Sequence, residues 1–184
     1  MKAQSKVSND TAGEWGFKKP IDGWHVVEML EGIDLMKYRE DKDNHKAGDI
    51  VMDKKGEKAW AFPAKINDEN DETNNSRLNQ IIYENNFGEQ KIADILAGVG
   101  LLKKFEENFP GDRSFFEAPI MDKLKIALPG KFCKMKTEIN KDGNVNVIAI
   151  APLAFKPEDK AAGKKKDDKK TEASGADKQA GKDW

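Results

Sequence analysis

The chain has 184 residues, 32 basic and 33 acidic side chains, a net charge of −1 and a charged fraction of 35%. Its one cysteine, Cys133, permits neither an internal disulfide nor a cysteine-based zinc cluster. No apolar run approaches the roughly 20 residues that span a bilayer, and no signal-peptide apolar core opens the chain, so a soluble cytoplasmic protein is expected.

Residues 1–19 are mostly polar, with Trp15 and Phe17 the large exceptions, and read as a flexible N-terminal arm. From Gly23 the composition changes. Trp24-His-Val-Val-Glu-Met-Leu30 is rich in β-formers, and Gly32 suggests a bulge before Ile33 to Tyr38 continues the strand. Arg39 to Lys55 reads as a long loop or irregular hairpin around Ile50-Val-Met52. Between Lys58 and Ile66 the residues alternate, with Lys58, Trp60, Phe62, Ala64 and Ile66 on one face. Pro63 has no N–H to donate, so it requires an edge or a bulge. Asn67 to Arg77 is an acidic, Asn-rich loop, and Leu78 to Tyr83 fits strand or helix, with strand favoured.

Ile92, Ile95, Leu96 and Val99 recur at helical spacing. A further helical turn or two, Leu101 to Phe109, stops at Pro110-Gly111. Arg113 to Pro119 reads as a loop. Lys131 to Ile139 and Asn144 to Ala151 then flank Asn140-Lys-Asp-Gly143, a strong hairpin signal. The order is strand, strand, possible strand, helix, strand, strand. It predicts a mainly β domain over residues 20–155 with one or two helices, arranged as a five-stranded OB-like Greek-key barrel.

Residues 156–184 contain no Val, Ile, Leu, Met or Phe and mix nine Lys with seven acids before Asp183-Trp184. Such a segment buries too little apolar surface to offset its ordering entropy, so a disordered C-terminal tail with an aromatic tip is expected. The tail contributes +2, which leaves −3 for the rest of the chain. Any nucleic-acid surface must then be a local patch rather than a whole-protein field.

Catalytic signals are weak, and no enzyme is expected. His25 and His45 lie in different segments without metal-ligand spacing, and Cys133 alternates with Met135 and Thr137 as a core residue would. The acidic loops lack the Gly and Glu positions of a calcium loop, so no metal site is expected. No Gly-x-x-x-x-Gly-Lys loop is present, and Gly98-x-Gly100 follows a helix rather than a strand, so no cofactor is expected either.

Binding signals are stronger. Lys58, Trp60 and Phe62 share one strand face, and Phe132, Lys134 and Lys136 share another, opposite Cys133 and Met135. Bases of single-stranded nucleic acid stack on open aromatic rings while lysines follow the phosphates. For Trp60 or Phe62 alone the inward barrel face is the commoner arrangement; Phe132 has less claim to the interior because its strand already has an apolar side. Trp24, Tyr38 and Lys65 are further candidates. Only three arginines occur, which disfavours bidentate reading of base edges.

The opening strand Gly23-Trp-His-Val-Val, the helix Ile92-Ala-Asp-Ile-Leu-Ala-Gly-Val-Gly-Leu101 and the segment Leu128-Pro-Gly-Lys-Phe-Cys-Lys-Met-Lys-Thr-Glu-Ile139, before a strand ending Ala151-Pro152-Leu153, together resemble phage-encoded single-stranded-DNA-binding proteins. The resemblance covers about two-thirds of the chain as a pattern of elements. It implies an OB fold that coats single-stranded DNA during phage replication, recombination or repair, in the host-cell cytoplasm. Asp183-Trp184 resembles the tail tip through which such proteins recruit replication or repair enzymes, although those tails are usually strongly acidic and this one is not. A homo-oligomer is compatible with this reading. A structural or protein-interaction module without nucleic-acid binding is the alternative, and a metal-dependent nuclease ranks third.

Overall fold

A computed structural model describes residues 20–41 and 44–156. The arm over 1–19 and the tail from 157 onward, including Asp183 and Trp184, lie outside the described residues.

Seven strands form two antiparallel sheets. Strands β1 (Gly23–Met29), β4 (Ala64–Ile66), β6 (Phe132–Ile139) and β7 (Val145–Ala151) make the larger sheet, in the order β4-β1-β6-β7. Strands β2 (Asp34–Leu35), β3 (Ala59–Phe62) and β5 (Gln80–Tyr83) make the smaller one, in the order β2-β3-β5. The sheets share a chain path. Pro63 alone separates β3 from β4, and the short stretch around Gly32, at φ +97°, separates β1 from β2. One long strand thus passes from sheet to sheet at each point, and Leu30 N donates to Pro63 O at 2.9 Å where the two crossings meet.

Alternation sets the core. His25, Val27 and Met29 of β1, Cys133, Met135 and Thr137 of β6, and Trp60, Phe62, Ala64 and Ile66 of β3 and β4 all point inward. Helix α1 (Asn86–Gly98) closes this interior with Ile92, Ile95 and Leu96. Its N-cap is Asn85, whose side chain accepts from Gly88 N at 2.9 Å, an arrangement worth about 0.5–2 kcal/mol. Two glycines let the helix approach the sheets. A Cβ at Gly88 would lie 1.9 Å from Tyr83 O, and one at Gly98 would lie 2.8 Å from Ile150 Cγ2.

Helix α2 (Leu102–Asn108) buries Phe105 and ends before Pro110, as its sequence predicts. The expectation of one or two helices needs correction, because the described residues contain three. Helix α3 (Ala118–Ala127) begins with Pro119 in its first turn and buries Ile120, Met121 and Leu124. Those positions share one helical face, a pattern visible in the sequence although the segment passes unassigned above. The β6–β7 turn forms where the hairpin signal lies. Asn140 Oδ1 accepts from Asp142 N and Asn144 N, and Gly143 takes φ +76°.

The described residues are mostly β, with no barrel-closing pairing between β5 and β7. None of the described helices is long and apolar enough to cross a membrane.

Candidate nucleic-acid interface

The larger sheet has an outward face, and strand register determines what it presents. Cross-strand partners share a face, so each row across the sheet is read from the pairing. In the first row Arg77, Lys65, Glu28 and Phe132 lie side by side, Arg77 through an isolated bridge to Lys65. The second row holds Val26, Lys134 and Ala151, and the third holds Trp24, Lys136 and Ala149. Successive rows are about 7 Å apart along the strands.

Three aromatic groups reach this surface. Phe132 is 37% exposed at one end. Trp24, half-buried at the other end, meets the ring of Phe155 at 4.7 Å and a tilt of 51°. The chain after β7 therefore folds back across the sheet, and Lys134 Nζ donates to Phe155 O at 2.6 Å.

The charges on these rows are mainly positive. Glu28 is the acid among them, and it is already engaged: Lys65 Nζ lies 3.2 Å from Oε2, which also accepts from Asn67 Nδ2 at 2.7 Å. Among the described residues the side chains of Lys136 and Arg77 have no hydrogen-bond or ion-pair partner, so both are free to meet a phosphate. Beside Lys65 and Arg77 the surface dips into a hollow of about 470 Å³ that Leu30 and Asn75 complete. At the opposite end, beyond Trp24, a cleft lined by Asp22, Asp68, Asp71 and Glu72 bounds the basic rows with negative charge.

Five of the nine sequence-predicted DNA-contacting residues thus share one surface: Trp24, Lys65, Phe132, Lys134 and Lys136. The remaining four lie elsewhere, and two need correction as stacking platforms. Phe62 is fully buried and Trp60 is 8% exposed, both packed in the core, so neither ring presents a face to a base. Alternation puts the two rings on one face, and that face is the interior one. Trp60 Nε1 donates to Glu84 Oε1 at 2.9 Å, and Lys125 Nζ lies 5.6 Å from its ring centroid. Lys58 sits on the smaller sheet's side, 3.8 Å from Glu84 Oε2. Tyr38 stacks on His45 at 4.3 Å, within the irregular hairpin that the bridges Lys37–Ile50 and Met52–Lys58 define.

Arg77 and Phe155 are the surface residues that sequence reasoning missed. Both lie outside regular strands, and only the fold-back of the chain and the bridge to Lys65 bring them to this sheet.

The other chemistry-bearing groups are tied into the structure. His25 is 4% exposed; its Nδ1 lies 2.5 Å from Asp71 Oδ2, and its Nε2 lies 2.8 Å from Ile21 O and 3.0 Å from Thr137 Oγ1. Asp71 also accepts from Thr73 N at 2.8 Å and Thr73 Oγ1 at 2.6 Å. Burial raises the Asp71 carboxyl, but the hydrogen bonds from Thr73 and His25 and the His25 charge outweigh it and hold the group below the usual carboxylate value. This network fastens the 67–77 loop to β1 and β6. Burial pushes the Cys133 thiol up to about 12, which leaves it a poor nucleophile. Among the described residues, no group of three or more His, Cys, Asp or Glu is placed to hold a metal ion. No family model and no curated protein matches the sequence.

Proposed function

We propose that the outward face of the β4-β1-β6-β7 sheet binds single-stranded DNA without strong sequence preference, as a replication- or recombination-associated protein would. The observation that carries this reading is the placement of Trp24 and Phe132 at the two ends of a surface that carries Lys136 beside the first ring, Lys65 in the row of the second and Lys134 between them. Bases stack on the rings, and ammonium groups beside them neutralise phosphates. Arg77 extends the basic run past the edge of β4.

The strand pairing supports an OB-like arrangement. Counting β1 with β2 and β3 with β4 as single long strands, the order is third, second, first, fourth, fifth, with all three helices between the third and fourth. On this reading the domain is a five-stranded Greek-key barrel left open between its third and fifth strands. OB folds often use the face of strands two and three for oligonucleotides. Here the outward side of β3 and β5 carries Ala61 and Ile81, with Asp34 alongside, so the larger sheet is the better surface for a polyanion. Recruitment of a replication or repair enzyme through Asp183 and Trp184 is part of the proposal and rests on the sequence alone.

Gel-shift titration with single-stranded and duplex DNA of equal length, repeated over several salt concentrations, tests the function. The proposal expects preference for the single strand and affinity that falls with salt. Tight duplex preference, or no binding at low salt, refutes it.

A further inference from the structure

The seven residues of β7 form an open sheet edge. β6 pairs with one side of the strand, and among the described residues nothing hydrogen-bonds to the backbone groups on the other. Edge strands of this length normally carry charges or proline that obstruct further pairing. Yet Asn144-Val-Asn-Val-Ile-Ala-Ile-Ala151 has neither, in a chain of which 35% is charged. Ile148 is 51% exposed and Asn146 is exposed beside it. Helix α1 packs on the inner side of the strand, where Gly98 comes up to Ile150 and Ala151. Two of the other three edges are guarded: Arg77 bridges to Lys65 beyond β4, and the irregular hairpin from Lys37 to Lys58 runs alongside β2, while β5 is a shorter open edge of four residues.

We infer that the free edge of β7 pairs with the β7 edge of a second copy of this chain, antiparallel about a two-fold axis, to join two four-stranded sheets into one of eight. A protein partner that replaces water along these N–H and C=O groups must itself be a strand, because a side-chain surface cannot satisfy a whole ladder. A second copy fits because an antiparallel pairing of identical strands is self-complementary, and this strand brings no like charges against themselves. Pro152, which has no N–H to donate, ends the ladder and limits it to the strand itself. Pairing of one strand buries less than the roughly 1,200–2,000 Å² of a stable interface, so association depends on concentration. It is independent of the nucleic-acid reading and is measured without DNA.

Sedimentation equilibrium of the full chain from roughly 1 μM to 1 mM tests the inference. The wild type should pass from monomer to dimer within that range. Ile148→Lys and Asn146→Lys, both at exposed positions, should each weaken association about tenfold or more with unchanged circular dichroism. As a second readout, amides of β7 should gain hydrogen-exchange protection as wild-type concentration rises. A monomer at the highest concentration would mean that the edge serves a strand from another protein or none, and would overturn the inference. A dimer that both substitutions leave intact would overturn it equally.

Discussion

Trp24 and Lys136 oppose each other on β1 and β6, so a flat ring and an unpaired ammonium group share one row of the outward sheet face. A base on that ring would place its phosphate within reach of the neighbouring lysine. Two rows away, Phe132 offers a second ring next to the Lys65–Glu28 pair.

Replacing either surface ring should therefore weaken DNA binding and spare the fold. Trp24→Ala and Phe132→Ala should each lose about 1–3 kcal/mol of binding to oligo-dT, roughly 5- to 150-fold in affinity. Phe62→Ala should instead destabilise the protein by about 3–5 kcal/mol, since it empties a fully buried position. Urea unfolding together with fluorescence anisotropy separates the two effects. Intact DNA affinity in both surface variants would remove the stacking claim.

Salt dependence counts the lysines. For single strands the slope of log affinity against log salt is about 0.7 for each phosphate neutralised. Lys134→Ala and Lys136→Ala should each lower the slope by about that amount, and Lys58→Ala, on the other sheet's side, should leave it unchanged. Titrations at four or more salt concentrations give the slopes.

The His25–Asp71 contact predicts a pH effect with a definite sign. The folded-state Asp71 carboxyl titrates below its ordinary value of 3.8, so its contribution to stability is present above that pH. It is lost as pH falls through the lower, folded-state value. Asp71→Ala should cost about 1–3 kcal/mol at neutral pH by leaving the buried His25 ring without its acceptor. The gap between wild type and variant should narrow in acid below the ordinary carboxylate range, as thermal melts across pH would record. A gap that widens there would contradict this role.

Gly88→Ala tests the docking of α1. The added methyl would meet the backbone carbonyl of Tyr83, which has no rotamer by which to yield. A loss of about 1–3 kcal/mol or more is expected in chemical unfolding. An unchanged midpoint would show that the helix start sits farther from β5.

Much of this architecture can be read from the chain. Gly143 and the Asn-Lys-Asp before it announce the β6–β7 turn, and Ile92, Ile95 and Leu96 announce α1, because turn chemistry and helical spacing are local properties. Alternation places Trp60 with Phe62 and Phe132 with Lys134, but it gives parity without saying which side faces inward. Trp60 and Phe62 are interior because that side of the smaller sheet shares one core with the buried residues of the helices and of β1 and β6, which is a fact about distant segments. The same holds for the surface. Trp24, Lys65 and Lys134 lie far apart in sequence, and only the register of β4, β1 and β6 brings them together. The buried bond between His25 and Asp71 spans 46 residues and has no local signal.

The most direct test is fluorescence anisotropy of a labelled oligo-dT titrated, at one low salt concentration, with wild-type protein and with the Trp24→Ala, Lys134→Ala, Lys136→Ala triple variant. The account predicts saturable binding by the wild type and a loss of at least about 100-fold in the variant, whose melting profile stays cooperative. Equal affinity of the two proteins, or no binding by either, would contradict the assignment of this sheet face to DNA.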